Sequence, residues 1–366
     1  MHHSPTDKSQ GAPTAPAPAR EPCEVAPPSS PVWAAAARVL PALLFIFALA
    51  TRLWGIGKPA GIVFDELHFG KFVQWTLKRW YYFDIHPPLA KQTLAVLSIL
   101  WGYDPDKCDY EPPAGQPRTY APDCEYWKLR CIVAAFSAAA CVLMFFVARR
   151  LGATVAGACL AALLEVFSVM HNVEGRLILL NSQLIFWLNA SLLAGLAWFA
   201  RANRAPRMAL GERLRWAAGV GALCGNAVCI KHTGLATPGL LGVEAALGLF
   251  FLRQPLPLLD LLTFVASMAA TYTLWFAIHI GTMIHSHATL RQEQEFMSPQ
   301  YQSLLLGSPT YDPNAKWTEG FWWTFVTLNR RMVVHSAAIT QPHAWGTRPW
   351  EWIFALRGVS YWCGAP

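Results

Sequence analysis

Two short motifs near the start of the chain contain residues that can carry acid–base chemistry. Residues 64–72 read FDELHFGKF, and HPPLAK follows at residues 86–91. Asp65 and Glu66 are adjacent and come directly after an apolar segment. Ionisable groups beside a membrane span are costly to place, so they are functional candidates. A carboxylate in this loop could act as a general base if a reacting hydroxyl comes within hydrogen-bond reach.

Further ionisable side chains fall in the other polar segments between apolar runs. They are His68, Asp84, His86, Lys91, Arg130, His171, Glu174, Arg176, Lys231, His232, His279, His285, His287, His335 and His343. Carboxylates, imidazoles and cations that face one compartment suit general-base chemistry on a substrate with an anionic leaving group.

Each of these residues also has a structural interpretation, which the sequence leaves open. The adjacent acids could cap a helix over about residues 67–79, because acidic side chains favour helix starts. His86 could belong to a rigid turn, because proline is tolerated at the start of a helix. Lys231 could reach the lipid headgroups, and Arg176 could form an ion pair within the membrane. The His-x-His pair at 285–287 lacks further metal ligands, so no metal site is predicted.

The composition indicates a membrane protein. The chain has 366 residues, of which 54% are hydrophobic and 14% charged, whereas soluble domains carry about 25% charged residues. The net charge of +7 does not indicate nucleic-acid binding. The arginines cluster in short loops between apolar runs, which is the positive-inside pattern of membrane proteins and not a basic face.

Apolar windows of about 20 residues, the length that crosses a bilayer as a helix, predict the transmembrane topology. They cover residues 32–54, 127–147, 151–170, 177–200, 216–230, 235–252 and 256–284. An apolar stretch at 88–101 is shorter and predicts an interfacial helix. The fold class is therefore predicted as an all-α, polytopic membrane bundle of about seven helices.

Basic loops set the predicted orientation and domain organisation. The loops at 149–150 and 201–215 and the residue Arg253 fall on one side, which the positive-inside rule makes cytosolic. The opposite side receives most of the candidate residues. The predicted parts are a disordered tail (1–30), a membrane domain (31–285) with a large first loop (55–126), and a further loop with the start of a membrane block (286–366).

Two cysteines in the first loop differ from the others, most of which lie in apolar segments. Cys108 and Cys124 lie in a polar, proline-rich stretch. They could pair if the loop faces an oxidising compartment. Two free thiols are an equally good interpretation of the sequence.

The stretch FDELHFGKFVQWTLKRWYYFDIHPPLAK at 64–91 resembles the first-loop signature of the protein O-mannosyltransferases. Members of this family transfer mannose from dolichyl-phosphate-mannose to Ser or Thr of secretory proteins. Further similar segments are GRLILLNSQLIF (175–186), IKHTGL (230–235), HATLRQEQEFMSPQYQSLLLG (287–307) and LNRRMVVHSAAITQPHAWGTRPWEWIFALRGVSYW (328–362). The resemblance covers roughly residues 35–366.

The resemblance implies a GT-C membrane fold with a large lumenal first loop and an inverting transfer of mannose. It implies that Asp65 is the general base, with Glu66 as its acidic neighbour. The donor-binding residues it implies are Arg130, Arg176, Lys231 and His86. It further implies a membrane enzyme of the endoplasmic reticulum that acts without cofactor or metal and dimerises with a homologue.

The chain departs from the family pattern in three places. Only about twenty residues separate the segment ending at 307 from the one starting at 328, so the MIR domain of eukaryotic members is expected to be absent. Asn181 stands where many members carry Asp. The sequence ends where a C-terminal membrane block would begin, so we expect a truncated chain. These departures make a non-catalytic or partner-dependent subunit the alternative function.

A transporter is a further alternative, because charges that line a helical bundle also mark solute pathways. The ionisable groups gather on one predicted face and not at mid-membrane, and the sequence has no evident inverted repeat. A mannosyltransferase therefore remains the main prediction.

Overall fold

The structure is a computed structural model that describes residues 31–111, 118–202, 208–252, 255–287, 297–317, 320–338, 348 and 350–351. The predicted disordered tail and most of the stretch after residue 338 lie outside the described residues. Within them the chain is all-α, as predicted, with isolated β-bridges in the loops. The helices are α1 (Pro31–Leu53), α2 (Glu66–Leu77), α3 (Leu89–Leu100), α4 (Tyr126–Arg150), α5 (Val155–Phe167), α6 (Val169–Glu174), α7 (Asn181–Ala202), α8 (Leu210–Val228), α9 (Ala236–Phe250), α10 (Leu258–Thr282), α11 (Pro299–Gln302) and α12 (Gly320–Ala338).

Four helical segments in the described part of the chain are long and apolar enough to cross a membrane. They are Tyr126–Arg150, Asn181–Ala202, His232–Phe250 and Leu258–Thr282. Each falls on a span that the sequence predicts. Helices α1 and α8 occupy the first and fifth predicted spans but are not among these four. The total of seven transmembrane helices therefore stays a prediction.

The third predicted span, residues 151–170, differs from the helix that forms there. Thr154 starts α5 by accepting a hydrogen bond from the Gly157 N–H at 3.1 Å. Ser168 ends α5 and caps α6 in the same way, with the N–H of His171 at 3.4 Å. The 13 residues of α5 rise only about 20 Å, less than the roughly 30 Å apolar core of a bilayer.

Neighbouring helices of the bundle pack against one another, and small residues allow close contact between some of them. Helix α4 lies against α1, α5 and α7, and α8 lies between α7 and α10. Helices α8 and α10 approach each other closely. A Cβ atom added at Gly221 would lie 2.3 Å from the carbonyl oxygen of Phe264, and one at Gly225 would lie 2.7 Å from that of Met268. Small residues let membrane helices approach in this way, which explains Gly221 and Gly225 of α8.

The first loop contains two helices that rest on the ends of the bundle. Helices α2 and α3 occupy the positions where the sequence predicts a capped helix and an interfacial helix. The N–H of Leu89 donates to the carbonyl of Cys229 at 3.1 Å, which ties the start of α3 to the end of α8. Helix α3 also packs against α4. The loop is therefore fixed to the bundle at several points.

A disulfide joins Cys108 to Cys124 and closes the other half of this loop, so the open alternative of two free thiols does not hold in the structure. The chain between them pairs with the segment before Asp65, since the N–H of Ile62 donates to the carbonyl of Arg118 at 2.7 Å. The disulfide loop thereby supports the segment that leads into α2.

Candidate active site

A four-residue turn at 63–66 presents Asp65 at the start of α2. The N–H of Glu66 donates to the carbonyl of Val63 at 3.0 Å, and the N–H of Val63 donates back to Oε2 of Glu66 at 2.9 Å. Phe64 has a φ of 50°, and Asp65 has φ −77° and ψ 4°. These angles match a type II′ turn, which needs a positive φ at its first central residue. The turn is therefore locked from both ends by Glu66.

The carboxylate of Asp65 does not cap the helix it precedes. Its side chain makes no capping hydrogen bond to α2, so the capping interpretation of this acid does not describe the geometry. Burial raises the pKa of Asp65, while His68 and Lys231 lower it and Asp84 raises it further. A partly buried carboxyl with a raised pKa next to charged neighbours is typical of functional sites.

Glu66 lies in a different environment, although it is the next residue. Its side chain is 0% exposed. Arg130 donates to its two oxygens at 2.8 and 2.7 Å, and the N–H of Ile178 and the hydroxyl of Tyr120 add bonds at 2.9 and 3.3 Å. This carboxylate therefore joins α2, α4 and the start of the 177–180 segment, and a structural role accounts for its contacts.

Arg130 is saturated by these contacts. A guanidinium has five N–H groups. Those of Arg130 reach Glu66 and the carbonyls of Ile56, Pro59 and Gly61, with distances between 2.7 and 3.1 Å. The side chain is 0% exposed. In this conformation it holds the first loop and has no N–H group for a phosphate, so direct donor binding by Arg130 stays a prediction.

Arg176 lies at the end of α1. Its guanidinium donates to the carbonyls of Thr51, Trp54 and Gly55, the first and last of these at 3.2 and 3.1 Å. Cationic side chains stabilise helix C-termini by bonding these last carbonyls. The structure therefore places Arg176 where the first loop begins, and its predicted donor contact stays a prediction.

Lys231, a predicted donor-binding residue, interacts electrostatically with Asp65. Its ammonium group donates to Oδ1 of Asn181 at 2.7 Å. Burial lowers the pKa of Lys231, and the nearby Glu174, Asp65 and Asp84 oppose that shift. An amide is a neutral partner, so it orients the ammonium without cancelling its charge. Lys231 is thus held by Asn181 within electrostatic range of the carboxyl of Asp65.

His86 lies next to Asp84 and Lys91 at this site. A buried ion pair joins Asp84 and Lys91, and Lys91 also donates to the carbonyls of His86 and Pro87 at 2.7 and 3.0 Å. Burial lowers the pKa of His86 to about 4. Its imidazole is therefore neutral at neutral pH, so His86 can offer a hydrogen bond but no charge to a donor phosphate.

Within the described residues, one group has distances that a metal could accept. Cys141, Glu165 and His171 place their ligand atoms within 4.8 Å of one another. The guanidinium of Arg52 lies 3.5 Å from the sulfur of Cys141 and donates to Ser137 at 2.7 Å. A buried cation at this distance opposes a second one. We therefore interpret the group as a polar contact between helices and assign it no metal.

Comparison with known proteins gives the family. The profile described as dolichyl-phosphate-mannose-protein mannosyltransferase matches residues 42–290. The chain belongs to the dolichyl-phosphate-mannose–protein mannosyltransferase family. This confirms the resemblance that the sequence motifs carry.

Several members of the mannosyltransferase family are similar over much of this chain. Dolichyl-phosphate-mannose–protein mannosyltransferase 4 of Candida albicans is 28% identical over 297 residues, which are 78% of this chain and 38% of the relative. Protein O-mannosyl-transferase 2 of Drosophila melanogaster is 27% identical over 288 residues, or 75% of this chain and 36% of the relative. The chain thus spans less than two-fifths of the length of these mannosyltransferases.

A solved mannosyltransferase structure has the same architecture. The Saccharomyces cerevisiae protein O-mannosyltransferase Pmt1-Pmt2 complex, solved bound to the sugar donor, matches with a TM-score of 0.64 and 25% identity. The match covers 75% of this chain and 37% of that one. The likeness confirms the all-α membrane fold that the sequence predicts.

The structure divides the predicted site residues of this chain into two groups. Asp65, His86 and Lys231 interact electrostatically around Asp84. The other three, Glu66, Arg130 and Arg176, hold the backbone of the first loop. The roles of all six in a reaction stay predictions.

Sequence reasoning missed two features of this site. The sequence shows Asn181 only as a departure from the family pattern, yet this residue is the hydrogen-bond partner of Lys231. The positive φ of Phe64 was not foreseen either. No sequence signal points to it, because turns of this kind normally carry glycine at that position.

Proposed function

We propose that this chain carries the catalytic region of an inverting mannosyltransferase that moves mannose from dolichyl-phosphate-mannose to Ser or Thr hydroxyls of secretory proteins. The observation that carries the proposal is the electrostatic interaction of two side chains. Asp65 is a partly buried carboxyl without a capping bond, and Lys231, which donates to the neutral amide of Asn181, lowers the pKa of that carboxyl by electrostatic attraction. The names of the relatives agree with this activity.

The proposed reaction is a single displacement. The carboxylate of Asp65 accepts the proton of the acceptor hydroxyl, whose oxygen bonds to C1 of mannose while the bond from C1 to the phosphate oxygen breaks. Dolichyl phosphate leaves with the electron pair of that bond, so no acid has to protonate it. Attack from the face opposite the leaving group inverts the anomeric centre. One base suffices, whereas a retaining glycosidase needs two carboxyls about 5 Å apart.

The four predicted donor-binding residues have different tasks in this proposal. Lys231 offers its ammonium to the growing negative charge on the phosphate, a contact that strengthens as the bond breaks. His86 adds a neutral hydrogen-bond donor. Arg130 and Arg176 act on donor binding through the first loop, whose backbone carbonyls they hold. The proposal includes no cofactor and no metal.

We place the first loop in the lumen of the endoplasmic reticulum. The disulfide between Cys108 and Cys124 lies in this loop, and such bonds persist in oxidising compartments. By analogy with the Pmt1-Pmt2 complex, the protein is proposed to act as a dimer with a homologue. Its partners would then be the lipid donor, acceptor polypeptides and the surrounding membrane lipids.

A transfer assay on the full chain tests the proposed function. Membranes that contain the protein should move labelled mannose from dolichyl-phosphate-mannose to a Ser/Thr peptide, and a peptide with Ala in place of Ser and Thr should stay unlabelled. Co-expression with a longer family member provides a second arm. Transfer that requires that member and persists with Asp65→Asn in this chain would favour the alternative of a non-catalytic subunit. Absence of transfer in both arms contradicts the proposal.

The pH dependence of transfer provides a separate prediction. Asp65 can accept a proton only as a carboxylate, so kcat/KM should rise as pH passes the pKa of Asp65. Lys231 lowers that pKa. Lys231→Met should therefore move the acidic limb of the profile to higher pH, in addition to weakening donor binding. The profile of kcat/KM measures this shift in the free enzyme.

The matched control for this change is Lys107→Met, because Lys107 is exposed and lies in a surface ion pair with Asp104. Its profile should coincide with that of the wild type. An acidic limb that stays in place in Lys231→Met would mean that the titrating base is not the carboxyl beside Lys231.

A further inference from the structure

A cavity of about 460 Å³ lies between the loop helices α2 and α3 and the end of α10. Most of the residues that line it are apolar, among them Leu77 of α2, Val96 and Ile99 of α3, and Trp275 and Ile278 of α10. Its volume lies in the range of small-molecule sites, about 300–1,000 Å³. None of the predicted site residues lines it, so it is a second candidate site on the same loop.

The outer side of this cavity is apolar and exposed. Val96 is 58% exposed, Ile99 61% and Ile278 38%. Helix α10 is one of the helices long and apolar enough to cross a membrane, and α3 forms where the sequence predicts an interfacial helix. Exposed apolar side chains at such a place contact lipid. An occupant of the cavity therefore enters from the bilayer.

Gln92 places a buried polar group in this apolar wall. The residue is 5% exposed, and its Oε1 has no hydrogen-bond partner among the described residues. Its amide nitrogen donates a long bond, 3.5 Å, to the carbonyl of Trp275. A buried acceptor without a donor is unfavourable, and each case in a folded protein requires an explanation. A ligand with an O–H or N–H group would supply the missing donor.

Other polar side chains of the wall already have partners. The hydroxyl of Thr76 donates to the carbonyl of Phe72 at 2.8 Å, and that of Thr282 donates to the carbonyl of Ile278 at 2.6 Å. Arg79 is exposed and donates to the carbonyl of Thr282 at 3.0 Å. Among its described residues, the wall therefore offers a buried acceptor but no buried cation.

We propose that this cavity binds a sterol, a lipid with a rigid apolar body and one hydroxyl group. The hydroxyl donates to Oε1 of Gln92. Gln92, Val96 and Ile99 share one face of α3 and extend about 10 Å along it, so the fused rings lie along this face and against the indole of Trp275. The indole N–H donates to Asn226 at 2.9 Å, which fixes the orientation of that ring.

The chemistry of the wall favours a sterol over other membrane lipids. A phospholipid would bring a charged phosphate to a wall without a buried cation. A diacylglycerol would bury two ester carbonyls beside hydroxyls that already donate to helix carbonyls. Acyl chains alone would leave the oxygen of Gln92 unpaired. A rigid body also loses less conformational entropy on binding than flexible chains do.

A sterol at this place would join the first loop to the bundle. It contacts α3 and α10 at once, and Gln92 is the neighbour of Lys91, whose ammonium group holds the carbonyls of His86 and Pro87. Binding to the folded protein alone raises its apparent stability. We therefore expect the melting temperature to rise with the sterol content of the membrane. The inference does not depend on the proposed mannose transfer.

The test uses the full chain in phosphatidylcholine vesicles with a sterol that carries a photoreactive diazirine. Label should appear in α3 and the end of α10, and unlabelled sterol should compete. The methyl ether of the same sterol has nearly the same shape but no O–H to donate. It should compete about three- to tenfold less well, the range of one hydrogen bond.

Two variants test the cavity itself. Gln92→Leu removes the acceptor at similar size, so the sterol and its methyl ether should compete equally well. Val96→Trp fills the mouth of the cavity from an exposed position and should abolish both the labelling and the rise in melting temperature. Leu100→Trp is the matched control, because Leu100 is 77% exposed on the same helix and does not line the cavity. It should behave like the wild type.

Several results would overturn the inference. They are labelling outside α3 and α10, equal competition by the methyl ether in the wild type, and labelling that persists in Val96→Trp. Competition by dolichyl phosphate in place of sterol would assign the cavity to the sugar donor, and competition by diacylglycerol would assign it to a flexible lipid. If Gln92→Leu does not fold, the methyl ether and Val96→Trp still decide. A protein that binds the sterol but transfers no mannose would contradict the proposed function alone.

Discussion

Asp65→Asn should reduce mannose transfer by about 10²- to 10⁴-fold, the contribution of a general base, while the protein stays folded. Asparagine has nearly the same shape as aspartate but cannot accept the proton of a Ser or Thr hydroxyl. The carboxylate of Asp65 makes no capping bond to α2, so its loss should leave the helix intact. Transfer of labelled mannose to a Ser/Thr peptide measures the effect, and thermal unfolding in detergent verifies the fold.

The control for this prediction is Asp123→Asn, which makes the same chemical change at an exposed acid of the same loop. It should transfer mannose at the wild-type rate. If Asp65→Asn also kept that rate, another group would have to act as the base. If it lost transfer only together with thermal stability, Asp65 would be a structural residue.

The sequence predicted much of the fold because long apolar segments leave few alternatives in a bilayer. A window such as 127–147 has to form a helix there, since every backbone group must be paired internally, and α4 forms at that position. The end of α5 was not predictable in this way. Its break depends on the side chain of Ser168 binding the N–H of His171, a local contact that an average over apolar residues does not register.

Sequence motifs name the residues of the candidate site, but they do not show which contacts each residue makes. The motif at 64–91 makes Asp65 a candidate, and the predicted topology puts the basic positions near the same end of the bundle. Sequence cannot tell whether an arginine faces a ligand or a carbonyl. Arg130 and Arg176 satisfy backbone carbonyls at the ends of loop segments, and those carbonyls are available only in the folded chain.

The second large effect concerns the buried ion pair between Arg130 and Glu66. Arg130→Met should lower the free energy of unfolding by about 3–5 kcal/mol, because it leaves the carboxylate of Glu66 buried without its cation. It also frees the carbonyls of Ile56, Pro59 and Gly61. The melting temperature in detergent and the amount of folded protein in membranes measure the loss. The exposed ion pair of Lys107 with Asp104 provides the control, since Lys107→Met should cost about 0–1 kcal/mol.

The double variant Glu66→Gln/Arg130→Met separates charge from packing. With both charges removed, no uncompensated ion stays buried, so part of the lost stability should return, as it does when other buried pairs are neutralised together. Recovery should be incomplete, because the amide of Gln accepts fewer of the bonds that Val63, Ile178 and Tyr120 now donate. An Arg130→Met protein with the wild-type melting temperature and only a raised KM for dolichyl-phosphate-mannose would contradict this assignment. That result would mean that the guanidinium leaves Glu66 and binds the donor phosphate directly.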